Sequence, residues 1–266
     1  MFRRLLGDKG YKRIQNRVYY FKTPQEADRV MKEEFGADQE TIGSESAFVQ
    51  KWNIAGQPDI IVFILGRMPL GSEASTFVHE VAGHIGLENV LTKQELRVLQ
   101  QQIEAWHKED KDTHGNEPYY NLEIEELMQL GEDGTVTIES VAQSKEHLMA
   151  RYAVRKARGK GYINKKTGTV PSATVTAETL AYFLQTGIQI GIEPSLADDT
   201  GKILYKMKQA MLKFLGFFNI IPFGKFNMTG QDLIDMALGM AKVELESGFR
   251  IGKKPQSQKV LKAIRI

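Results

Sequence analysis

The amino-acid sequence predicts an α+β fold, in which a small sheet lies beside one histidine-bearing helix and a mainly helical C-terminal half packs behind it. Three observations lead there. Ile60 to Leu65 (IIVFIL) is the first strongly apolar run, and its length and β-branched content favour a buried strand over a helix. Ser75 to Val90 follows as a helix carrying His79, Glu80 and His84. From Ile138 onward, four segments have helical character.

Each element has its own warrant. Arg17 to Lys22 (RVYYFK) suits a short strand, because Val and aromatics fit a pleated, half-buried surface. Thr23-Pro24 starts a helix: Thr23 caps, Pro24 suits the first helical position, and Glu26 and Asp28 favour the positive end of the dipole. That helix is expected to end near Gly36. Gly56-Gln57-Pro58 precedes the IIVFIL strand, and a loop with Pro69 and Gly71 separates it from the histidine helix, which Ser72 or Ser75 can cap. Thr92 to His107 reads as a second helix through Leu96, Leu99 and Ile103. Residues 108 to 140 are acidic, with Gly, Pro and Asn, and read as exposed loops with short elements.

Helices are then expected over Ile138 to Lys156, Val175 to Gln185, Thr200 to Phe218 and Thr229 to Glu246, the last capped by Thr229. Arg158 to Gly168 reads as a flexible basic insertion, and Arg250 to Ile266 as a loosely ordered basic tail. The expected organisation is a region 1–58 whose fold the sequence does not specify, a domain over 59–248, and the tail 249–266.

Composition narrows the chemistry. A chain of 266 residues that is 42% hydrophobic and 26% charged is expected to be a soluble globular protein. Its net charge of +2 makes no case for nucleic acid, and a solvated face is the better reading of the basic helix Lys202 to Lys213 and of the tail. The chain has no cysteine, which excludes disulfides, thiolate nucleophiles and Cys-ligated metal. The N-terminus lacks the apolar core of a signal peptide, and no run approaches the roughly 20 apolar residues that span a bilayer. Arg158-Gly159-Lys160-Gly161 lacks the preceding strand and the Lys-Ser/Thr of a phosphate loop.

The chemistry centres on Phe77-Val78-His79-Glu80-Val81-Ala82-Gly83-His84, an H-E-x-x-x-H string. The common metallopeptidase motif, H-E-x-x-H, puts its histidines four residues apart, nearly on one face of a helix. Five residues turn a regular α-helix by about 500°, an offset of roughly 140°. A π-bulge absorbs one extra residue, and Gly83 is the residue best able to take an irregular conformation there. Two imidazoles supply most of a catalytic zinc's three protein ligands, and Glu80 is placed to move a proton between water and a leaving amine. The Ile60 to Leu65 strand, if it lies at a sheet edge, is a place for an extended substrate. The bland alternative is that these histidines are packed core or surface residues.

Thr76 to Leu87 resembles the HE-x-x-GH-x-GL helix of zincin-like metallopeptidase domains found in large polyvalent proteins of phages and other mobile elements. Thr176 to Leu184, Ile203 to Phe218 and Thr229 to Ala241 are similar to that family's later helices in order and character. The HE-x-x-GH spacing also resembles that of dipeptidyl-peptidase III. The first resemblance covers roughly residues 56 to 246, with only His79 to Leu87 specific, and implies a zincin-like fold binding Zn2+. It further implies a peptide or protein substrate, virion or polyprotein components as partners, and a virion-associated or host-cytoplasmic setting.

The third ligand is expected to be acidic, since Leu87 and Val90 stand where a metzincin needs Gly and His. Glu178 is the first candidate, from the resemblance and its otherwise apolar helix, where a lone carboxylate is costly unless paired or metal-bound. Glu146, with His147 beside it, is second. Glu104 is third, by its distance after His84. His107 and His114 sit in polar surroundings and read as surface residues. The expected activity is zinc-dependent peptide-bond hydrolysis with Glu80 as base and acid. Its rivals are a non-catalytic structural or virion-associated module that keeps the helix without metal, and an accessory protein that contacts nucleic acid or membrane through its basic C-terminal part.

Overall fold

A computed structural model describes residues 2–35, 46–51, 60–134, 136–159, 172–194, 229–247 and 262–265. Strand β1 (Val18–Phe21) runs parallel to β3 (Ile60–Ile64), whose other edge pairs antiparallel with β2 (Ala47–Lys51). β4 (Lys262–Arg265) adds outside β2, so the order is β1-β3-β2-β4. β3 is buried at every position, as an uninterrupted apolar run demands of a strand covered on both faces. It is an interior strand. The expectation that it offers an edge to substrate is therefore overturned, because β1 and β2 occupy both of its hydrogen-bonding edges.

The two faces of the sheet bury different partners. Ile60, Val62, Ile64, Phe48 and Phe21 pack with Ala27 and Met31 of α2 (Pro24–Phe35). Ala47, Val49, Ile61 and Phe63 belong to the main core with the helices. α2 starts as its sequence dictates: the Glu26 N–H donates to Thr23 Oγ1, and the Lys22 N–H donates to the Glu26 carboxylate. Residues 2–14, to which the sequence reading gave no element, form α1 (Phe2–Ile14), which buries Leu6 and Ile14 in the main core.

The histidine helix has three parts in unbroken succession: α3 (Glu73–Phe77), a π-helix (Val78–Leu87) and α4 (Glu88–Val90). α5 (Lys93–His114) follows through a capping box between Thr92 and Glu95. It continues seven residues past the expected end, and α6 (Ile124–Glu132) and α7 (Ile138–Val141) occupy much of the expected loop region. Within the extension of α5, Asp110 looks like a surface acid in sequence but is fully buried. Arg151 Nε and Nη2 donate to its two oxygens at 2.6 and 2.9 Å.

The single helix expected from Ile138 is two. Ala142 is extended between α7 and α8 (Lys145–Gly159), and the His147 N–H is 3.4 Å from the Ser144 hydroxyl at the start of α8. α9 (Ser172–Gln189) and α10 (Gly230–Ser247) complete the helical layer, and Thr229 caps α10 by accepting from the Asp232 N–H. The expected helix Thr200 to Phe218, most of the basic stretch from Arg158, and the tail apart from β4 lie outside the described residues. Among the described residues, no helix is long and apolar enough to cross a membrane.

Candidate metal centre

The one-residue excess between His79 and His84 is taken up by the π-helix. A π-helix closes hydrogen bonds between residues five apart, so such residues stack as residues four apart do in an α-helix. The Glu88 N–H, at its C-terminal end, donates to the Gly83 carbonyl five residues back. The histidine rings accordingly lie with centroids 5.2 Å apart. All ten residues of the π-helix are buried.

Gly83 has a different role from the one its sequence suggests. It is not among the glycines with positive φ. Instead, a Cβ at Gly83 would fall 2.6 Å from Ala181 Cβ and 3.0 Å from Ala181 Cα, so α9 crosses the π-helix in backbone contact. Gly86 does the same for α10, where an added Cβ would collide with the Ala237 carbonyl and crowd Ala241. The two glycines of the motif thus draw two later helices onto the histidine helix.

That close crossing brings Glu178 of α9 to the histidines. Glu178 Oε2 lies 3.6 Å from His79 Nε2, and Oε1 lies 3.8 Å from His84 Nε2. Both separations exceed a hydrogen bond. Two ligands held about 2.1 Å from one zinc at a tetrahedral angle are about 3.4 Å apart, close to what is seen. His79, His84 and Glu178 form a buried group with one ligand atom from each within 4.8 Å of the others, and this group could hold a metal ion. His84 Nε2 makes no hydrogen bond among the described residues, although the side chain is fully buried.

His79, Glu80, His84 and Glu178 are each 0% exposed. Glu80 is not a member of the ligand group, yet its charge acts on His84. Burial by itself would lower the His84 pKa. The hydrogen bond to Glu88 and the charges of Glu178, Glu80 and Glu88 outweigh it, so the net shift is upward. A divalent cation would balance this concentration of carboxylates in a site shielded from water.

The other candidates sit elsewhere. Glu146 accepts from the Gly230 N–H at 2.7 Å and from the Ser144 hydroxyl at 2.9 Å, tying α8 to the start of α10. His147 Nε2 meets Glu109 at 3.1 Å. Glu104 accepts from Gln100 Nε2 at 2.9 Å and lies 3.8 Å from Arg158. The expected surface placement of His107 and His114 holds only in part, as both are half-buried.

Two residues near the site were not singled out from sequence. Glu88 Oε2 lies 3.0 Å from His84 Nδ1. Tyr182 sets its ring edge-on to His79, with centroids 4.6 Å apart. Each stands four residues after a member of the ligand group, on the same helix face, and that spacing was the signal available to find them. No protein-family model, curated protein or solved structure matches the chain.

Proposed function

We propose that this chain is a zinc-dependent peptidase with a zincin-like site, in which His79, His84 and Glu178 hold the metal and Glu80 handles protons. The observation that carries this reading is the division within one buried site: three converging ligand atoms, and a second carboxylate, Glu80, outside their group. Structural zinc sites close with four protein ligands, whereas catalytic ones keep three and leave a position open. Zinc, when bound, supplies Lewis acidity that polarises a scissile carbonyl and makes water more acidic. Glu80 then takes a proton from the attacking water onto a carboxylate oxygen and delivers it to the leaving amine nitrogen. Burial keeps this carboxylate away from bulk solvent, which strengthens its interaction with charge developing in the site. The phage or mobile-element setting implied by the resemblance is part of the same proposal.

One observation favours a second reading. Zero exposure of all four side chains suits a structural metal site in a non-catalytic module as well as a closed peptidase. The test begins with the metal content of purified protein, wild type beside His79→Ala and His84→Ala, followed by hydrolysis of a peptide library before and after chelation. About one zinc per chain, absent from both variants, with hydrolysis abolished by chelation, is the expected result. Metal without hydrolysis selects the structural module. A wild type that neither contains nor takes up zinc sinks both and leaves a structural module that keeps the helix without metal.

A further inference from the structure

We propose that Glu88 is the positioning carboxylate of this metal centre, acting on the metal through His84; the inference rests on the metal-binding reading above. Glu88 is the first residue of α4, one turn beyond His84, and its Oε2 lies 3.0 Å from His84 Nδ1. A carboxylate is an acceptor, so the pair needs the proton on Nδ1. That tautomer leaves the Nε2 lone pair free, and Nε2 is the atom that faces Glu178 Oε1 at 3.8 Å. The hydrogen bond therefore selects the ring nitrogen that meets the metal and fixes the ring's rotation.

Glu88 is not itself a ligand. It is not part of the group formed by His79, His84 and Glu178, and it meets the imidazole on the nitrogen that points away from that group. Its exposure suits the role. The His84 side chain is 0% exposed and that of Glu88 is 21%. A carboxylate that keeps some water stays ionised at lower cost than one fully buried, and so can sustain a charged hydrogen bond to a buried ring. The junction of π-helix and α-helix holds it there. The Glu88 N–H makes a five-residue bond back to Gly83, while its side chain reaches four residues back to His84.

Outer carboxylates of this kind typically change metal affinity by about 10- to 100-fold. The test is a zinc titration against a competing chromophoric chelator for wild type, Glu88→Ala and Glu88→Gln. Melting of the metal-free proteins is measured alongside. Glu88→Ala is expected to lose about 10- to 100-fold in zinc affinity. Glu88→Gln, whose amide oxygen still accepts from Nδ1–H but carries no charge, is expected to fall between it and wild type. Metal-free melting is expected to move little, which a merely structural role would not produce. If Glu88→Ala fails to fold, the loss in Glu88→Gln decides the matter. Wild-type affinity in every folded variant overturns the positioning role and leaves the metal site standing. A wild type that binds no zinc removes the metal site and the positioning role together.

Discussion

Glu80 and Glu178 are both carboxylates at zero exposure, yet only Glu178 converges with the two imidazoles. In the proposed reading the two do separate work, and amide substitution separates them. Glu178→Gln keeps the shape but removes the charge that a divalent ion needs, so it should purify with little or no zinc. Glu80→Gln should keep a full zinc complement and lose peptide hydrolysis by about 10²- to 10⁴-fold, the usual weight of a general base. Metal analysis and a peptidase assay on the same preparations check both. Zinc loss in Glu80→Gln would place that residue in the ligand set and mark a closed structural site. His79, Glu80 and His84 were legible in the sequence because they share one short string. Glu178 lies 94 positions beyond His84, and neither periodicity nor spacing points to it. Its apolar helix and the family resemblance were the signals.

At the scale of elements, the extra residue of the motif and its glycines solve different problems. The π-helix turns both imidazoles to one side, and Gly83 lets α9 approach closely enough for Glu178 to meet them. Gly83→Ala therefore tests whether helix approach governs the site. Its new Cβ would stand 2.6 Å from Ala181 Cβ, a clash that the backbone must relieve by moving the helices apart. Overpacking of this kind costs about 1–3 kcal/mol. Zinc affinity should fall with stability, because the same movement withdraws Glu178. Adding Ala181→Gly removes the closer of the two obstructing atoms and should recover part of both losses. If Gly83→Ala melts and binds zinc like wild type, the close crossing is incidental to the site. From sequence alone, Gly83 read as a backbone-conformation residue, because nothing in a local string reveals which distant helix will cross it.

Across the whole molecule, legibility followed how local each cause was. The strands β1 and β3 and the caps at Thr23 and Thr229 are set by neighbouring residues and could be read from the chain. The interior position of β3, the length of α5 and the Asp110–Arg151 pair depend on distant partners, and the sequence pointed elsewhere. The candidate metal site is of this second kind, since it joins the histidine helix to α9 at a cost to the folded chain. Burying an ion costs several kcal/mol even after relaxation, and Glu178 and Glu80 are both at zero exposure. Without metal, then, Glu178 should work against the fold once the pH is high enough to take the positive charge off His84, whose pKa the Glu178 charge helps to raise. With metal, binding adds about 4 kcal/mol at a thousandfold excess over the dissociation constant, or roughly 10 °C in melting temperature for a chain of this size. A crossing of stabilities follows. In chelator at that high pH, Glu178→Gln should melt at or above wild type. In excess zinc, wild type should rise by roughly 10 °C while Glu178→Gln stays where it was. Differential scanning calorimetry of both proteins under both conditions reads all four temperatures. If Glu178→Gln melts several degrees lower in chelator, Glu178 supports the fold without metal, and the site is held together by its own hydrogen bonds and charges.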